Sequence, residues 1–408
     1  MGITSRGGTR RDIAGTEFSD TEAGRTDAAR AGRTGQVTLR PERRRFPVPA
    51  LAAVWSAVTL ALGLWWWLRP GSYPFAPVAG EPSGTLLDVV PASAVPPVLV
   101  GAGLAGMGVA ALAGTGRARG VVGGTAVGWV LVFGLAVPGL QPLTLIGYAM
   151  AMLGPPVLFA TVLAGAWRWR GGPAAVAVFV LAGVVAWTTG LADAEVLVRY
   201  GAVITSTVEK AAPSAIMLFF LVGALVWAVL GARSVQGGAE QAPAWTRPEA
   251  AARWGRAAVV VAVVCALPYG LHRLTWLTPR PLGMDAAALA AQPEMRLHGL
   301  LLGLAALAGA VLTSGLVARW GEVWPRWMPV VRGRRVPLAA AVVPGTLVAA
   351  LFTVAAVPMI LMSVRQGALW GLLVFPFPVW GPALGLAVLG YVLRRRGESV
   401  RPGTIEGS

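Results

Sequence analysis

The stretch "WGPALGLAVLGYVLRRRGE" (Trp380–Glu398) opens on Gly381-Pro382, runs uncharged to Leu393 and stops on Arg394, Arg395 and Arg396. An apolar run closed by arginines reads as a helix that crosses a lipid bilayer and ends at its charged surface. A similar stretch, "LGPPVLFATVLAGAWRWRGG", stands at Leu153–Gly172. Together they set two expectations: a chain of membrane spans, and a unit of spans used twice.

The composition agrees with the first. The chain has 408 residues, 56% of them hydrophobic and only 13% charged. Soluble domains carry about a quarter charged residues. The formal net charge of +16 would suit a nucleic-acid partner, but the arginines sit between long apolar runs. That is how loops at a membrane surface look, so the bilayer is the expected partner and nucleic acid is not. The single cysteine, Cys265, excludes an intrachain disulfide and a cysteine-built metal site. The abundance of Arg, Ala, Gly, Val and Pro with one lysine points to a GC-rich bacterial source.

A hydrocarbon core about 30 Å thick needs about 20 apolar residues per helix. Ten runs meet this: 48–68, 94–114, 120–140, 145–167, 173–191, 213–232, 257–277, 297–317, 337–361 and 368–393. Helices are expected throughout, because every backbone polar group must be paired inside the lipid. The fold class is an all-α polytopic bundle. The connections carrying Arg117 and Arg119, Arg168 and Arg170, Arg233 to Arg256, and Arg319 to Arg335 alternate with less basic ones. With Arg43–Arg45 and Arg394–Arg396 guarding the ends, this places both termini in the cytoplasm of a bacterial inner-membrane protein. The outer connections carry Glu81, Asp88, Asp193, Glu195, Arg199, Glu209 and Lys210 as solvated loop charges. Within 282–296, a short helix capped by Asp285 and stopped by Pro293 is expected.

Residues 1–46 are polar and mixed in charge, and read as a disordered basic cytoplasmic tail through which a protein partner could bind. The run Arg43–Phe46 before the first span reads as a signal anchor or plain first span, with a cleaved twin-arginine signal as the alternative. The repeat rests on Gly154-Pro155 against Gly381-Pro382, on "AVP" at Ala136–Pro138 and Ala356–Pro358, and on "WLRPGSYPF" (Trp67–Phe75) against "WLTPRPLGM" (Trp276–Met284). Small residues recur at Ala102, Gly106 and Ala110 and at Gly299 and Gly303. Chance alignment in an Ala- and Gly-rich chain is the other account. The expected units are 47–171 and 257–397, four helices each, with a helix pair and linker at 172–256 and a tail at 398–408. Six spans separate the two starts, so the repeats would be parallel.

The segments "LPYGLHRLTWLTPRPLGM" (Leu267–Met284) and "WGPALGLAVLGYVLRRRGE" resemble uncharacterised multi-pass membrane proteins of actinobacteria. The resemblance covers about a tenth of the 408 residues. It implies source and membrane location and brings no activity with it. This chain lacks the cysteine pair that follows the basic stop in those proteins.

Ionisable residues within spans are rare and usually functional. His272 and Arg273 near the end of the seventh run, with His298 at the start of the eighth, are the candidates, and the two histidines could face each other across one hairpin. The bland account is interface side chains reaching into the headgroups. Pro155 and Pro382 are the second kind of candidate, since a proline frees a backbone carbonyl and kinks its helix. The tryptophans at 65–67 read as interface anchors, because three successive helical residues cannot share a face. "GTGRARG" (Gly114–Gly120) lacks the Lys-Ser/Thr ending of a phosphate loop. No H-E-x-x-H or G-x-S-x-G motif occurs and no cofactor is implied, so nothing in the chain supports catalysis. A small-molecule carrier or permease-like protein is the first functional expectation. A sensor or accessory subunit acting through partners is the second, and a lipid-processing enzyme the third. Oligomeric state is not readable.

Overall fold

The computed structural model describes residues 48–75, 90–115, 118–168, 170–209, 211–236, 243–325, 328 and 331–398. The expected tails at 1–46 and beyond 398 lie outside the described residues, as do Glu81, Asp88, Arg117 and Lys210.

The chain is an all-α bundle. Its helices are α1 (Val48–Leu68), α2 (Val95–Thr115), α3 (Arg119–Trp129), α4 (Gln141–Gly165), α5 (Gly172–Thr188), α6 (Ala194–Glu209) and α7 (Ala211–Gln236). They continue with α8 (Pro248–Leu274), α9 (Ala286–Ala291), α10 (Pro293–Ser314), α11 (Leu338–Arg365), α12 (Gly371–Val374) and α13 (Phe377–Glu398). Beyond Trp129, α3 runs on in π-helical form over Val130–Ala136. Among the described residues, nine helical segments are long and apolar enough to cross a membrane. The chain is an integral membrane protein.

The fifth expected run is the exception. It forms α5, of 17 residues, which at 1.5 Å per residue is about 26 Å long and stands at the lower limit of a helix that crosses a bilayer. Gly190 ends it early. With φ +70° it turns the chain left-handed, and Leu191 N–H reaches back to the Ala186 carbonyl at 2.9 Å. This is the bonding of a glycine-terminated helix.

The charges expected in a loop after α5 belong instead to a helix. Asp193 caps α6, its Oδ1 accepting from Val196 N–H at 2.9 Å. Glu195 occupies the first turn and pairs with Arg199 one turn on. Both placements suit an N-terminal turn. The short helix expected after Asp285 is present: α9 spans Ala286–Ala291, and the Asp285 carboxylate accepts from Ala288 N–H at 3.0 Å. Pro293 then opens α10 at its first position, where a missing N–H removes no bond.

Two apolar groups organise the bundle. In the first, α1 lies along α2, and α7 packs on α1 and α3. In the second, α13 packs on α8 and α11, with α10 along α8. Lipid supplies no hydrophobic drive for helices to associate, so close backbone approach matters. A Cβ on Gly103 would meet the Leu60 backbone nitrogen at 2.7 Å, and one on Gly390 the Gly255 Cα at 2.9 Å. The centre of the first group is aromatic. Trp55 stacks on Phe219 and meets Phe133 edge-on, Trp129 meets Trp227 edge-on, and Trp227 is fully buried. Trp66 also turns inward (3% exposed), whereas Trp65 (49%) and Trp67 (54%) face outward. Two of the three are therefore turned outward, as interface anchors would be. The seam between the groups is filled by Leu221, Leu351 and Val354 with Leu143 and Ile146.

Candidate functional site

The two histidines, both buried, and Arg273 lie at the end of the bundle where α8 finishes and α10 begins. Gly299 and Gly303, the small residues expected on α10, open its surface to α8. A Cβ on Gly299 would fall 2.5 Å from the Trp276 ring, and one on Gly303 2.9 Å from Arg273 Cβ. The two glycines thus form the bed on which Arg273 and Trp276 lie. The Arg273 guanidinium sits 4.2 Å from the Trp276 ring centre and 5.2 Å from that of Tyr269, and its Nε donates to the Tyr269 hydroxyl at 3.2 Å. Among the described residues no carboxylate pairs with Arg273. Aromatic faces and one phenol meet its charge.

His298 points from α10 the other way, toward α4 and α6. Its ring meets Tyr148 edge-on at 4.2 Å, and its Nδ1 lies 3.3 Å from the Tyr200 hydroxyl. Burial pushes the Tyr200 phenol above its ordinary 10.0, and neighbouring Tyr148 acts in the same direction. Tyr200 is therefore a neutral phenol able to donate to Nδ1. If the phenol donates, the imidazole proton sits on Nε2; if it accepts, the proton sits on Nδ1. His298 is 6% exposed and its Nε2 has no hydrogen-bond partner. An apolar patch of Val196, Leu297, Leu301 and Met152 surrounds the contact and seats α6 on α10.

The two histidines do not face each other. His272 is turned to the loop after α8, where a Cβ on Gly283 would come within 2.8 Å of its Nε2 and 3.3 Å of the Trp370 ring. Its ring lies edge-on to Trp276, 6.1 Å away. Neither of its nitrogens meets a partner at hydrogen-bonding geometry, and the nearby Leu282 carbonyl accepts from Trp276 Nε1 at 3.1 Å. The reason is helical phase. His272 and Arg273 are about 100° apart on α8, so only one can face α10. Arg273 takes that place.

Pro155 lies inside α4, half-buried, and Pro382 inside α13, exposed. Neither joins the cluster. Gly154 beside Pro155 has open space around it, whereas Gly381 beside Pro382 lies against Thr353 of α11. Pro358 sits within continuous α11, but Pro138 falls outside any helix. Tyr148, Tyr200 and Tyr269 escaped sequence reasoning. The usable signal was scarcity, since the chain has only five tyrosines and three of them meet here. Among the described residues no three His, Cys, Asp or Glu side chains come close enough to hold a metal ion.

Comparison with protein-family models, with curated proteins and with solved structures finds no match. The functional reading therefore rests on the geometry of this chain alone.

Proposed function

We propose that the protein is a sensor or accessory subunit of a bacterial inner membrane in which the short α5 makes a tenth crossing, so that both termini lie in the cytoplasm and the His298 cluster on the outer side. The observation that carries this reading is the attachment of α6. This helix is not among the candidate spans, and Tyr200 ties it to a buried histidine on a helix that runs the depth of the bundle. A partner or ligand that lifts α6 breaks the Tyr200–His298 contact and exposes an unpartnered Nε2. The change is then carried along α10 to its arginine-rich end. A sensor needs such a coupling between its two ends.

Hydrogen exchange in nanodiscs tests it. His298→Ala should raise exchange in α6 and also in residues 315–323 at the far end of α10. A change confined to α6 would remove the basis for sensing. Reporter fusions at Ser408 test the orientation, with cytoplasmic activity expected.

The second reading is a small-molecule carrier. It is supported by prolines inside α4, α8, α11 and α13 and by the π-helical end of α3, since broken helices can offer backbone groups to a substrate. The apolar filling of the seam weighs against it. We further propose that the two helix groups are parallel repeats, with α7 and α13 as equivalent fourth helices.

A further inference from the structure

We propose that a cavity at the arginine-rich end of the bundle binds the phosphate of an anionic phospholipid. The cavity lies between the start of α8, the turn after α10 and the end of α13, and measures about 150 Å³. A cavity of that size holds a group as large as benzene. Its floor is made of small residues, Ala251 and Gly255 of α8 with Ala387 and Gly390 of α13, and its polar wall is Arg256 and Arg394. The close crossing of Gly255 and Gly390 keeps the floor shallow.

Arg394 is held in place. Its guanidinium pairs with Glu322 and donates to the Leu316 carbonyl at 2.9 Å. Arg256 is placed differently. It is exposed, and its Nε donates to the Ala252 carbonyl at 3.2 Å. Glu322 offsets one charge, but the three chain segments that form the cavity remain basic. Residues 248–256, 314–322 and 390–398 hold Arg253, Arg256, Arg319, Arg394, Arg395 and Arg396 against Glu249, Glu322 and Glu398. Six minus three leaves a net charge of +3. A guanidinium suits a phosphate because its donors form a planar fork.

The ligand is a lipid because the way out of the cavity is greasy. Val260 lies one turn from Arg256 on the same face of α8 and is 61% exposed, and Val317 of the cavity wall is 38% exposed. A headgroup at Arg256 would lay its acyl chain along these valines. Basic pockets between span ends are where anionic headgroups bind. This inference is independent of α6 and His298.

The test uses the full chain in nanodiscs of equal parts phosphatidylcholine and phosphatidylglycerol, with retained lipid read by native mass spectrometry. Wild type should retain one phosphatidylglycerol. Arg256→Ala should lower that retention about fivefold, the effect of roughly 1 kcal/mol per basic residue. Arg256→Lys should keep most of it. Arg280→Ala, the same charge change at the opposite end, should leave it unaltered. Equal retention by wild type and Arg256→Ala, or equal losses in Arg256→Ala and Arg280→Ala, overturns the proposal. So does Arg256-dependent uptake of inorganic phosphate without any preference for phosphatidylglycerol, which would mark the ligand as a free anion.

Discussion

Replacing Gly303 by alanine tests how the cluster is built. The added Cβ would stand 2.9 Å from Arg273 Cβ and 3.3 Å from the Gly270 carbonyl oxygen. Carbon atoms rest at about 3.5–4.0 Å, so α8 and α10 would have to part by about 0.6–1.1 Å. Neither neighbour is the free end of a side chain, and overpacking of this kind costs about 1–3 kcal/mol. Against it stands the gain from alanine in a helix, about 0.5–1 kcal/mol. Gly309→Ala on the same helix isolates the steric part, because nothing lies within 4 Å of its Cβ position. The propensity gain is common to both variants and cancels in their difference. Gly303→Ala should therefore be less stable than Gly309→Ala by about 1–3 kcal/mol, or roughly 1–4 °C in apparent Tm for a chain of 408 residues. Thermal unfolding of the two proteins in identical nanodiscs measures this. Equal midpoints would show that the helices do not meet at Gly303, and the placement of Arg273 of α8 against α10 would be wrong.

Tyr200→Phe should remove one hydrogen bond, worth about 0.5–1.5 kcal/mol, and raise exchange in α6 without unfolding the bundle. Native structure favours the neutral Tyr200 phenol, so its stabilisation is complete below pH 10.0 and is lost as the pH climbs through its raised value. Exchange in α6 should accelerate over that range, and Tyr200→Phe should remove this part of the dependence. Arg394→Ala leaves Glu322 and the Leu316 carbonyl without their guanidinium and should cost about 1–2 kcal/mol, whereas Glu195→Ala, which breaks an exposed helical pair, should cost about 0.5 kcal/mol or less. Amides around Leu221, Leu351 and Val354 should exchange as slowly as those within the two groups; rapid exchange there would favour a carrier.

Apolar length and arginine placement made most of the spans legible, since both follow directly from the thickness and charge of a bilayer. The cap at Asp285 was legible for the same kind of local reason. The helix α6 was not. Its charged residues Glu195, Arg199 and Glu209 marked it as a loop, although Val196, Tyr200 and Ile204 recur at helical spacing and form its seated face. The site was half legible. His272, Arg273 and His298 stood out as rare ionisable residues, but which of them meet depends on the phase of α8 and on the distant arrival of Tyr148 and Tyr200.

In the repeat we propose, local sequence matches and helix packing point to different helices. Gly154-Pro155 and Gly381-Pro382 pair α4 with α13, yet α4 packs on α10 and α7 while α13 packs on α8 and α11. The helix that packs on α1 and α3, as α13 does on α8 and α11, is α7. Its buried positions are 217, 220, 221, 223, 224, 227, 230 and 231, and every one is buried again 160 positions later on α13. Val222 and Pro382, and Val229 and Leu389, are exposed in the same register. Residue identities hardly agree along this register: Trp227 faces Ala387 and Gly231 faces Tyr391. Without a hydrophobic drive between helices, any set of side chains that fills the space will serve. A face can therefore persist while the letters that spell it change, whereas a Gly-Pro pair can recur where its surroundings have nothing in common.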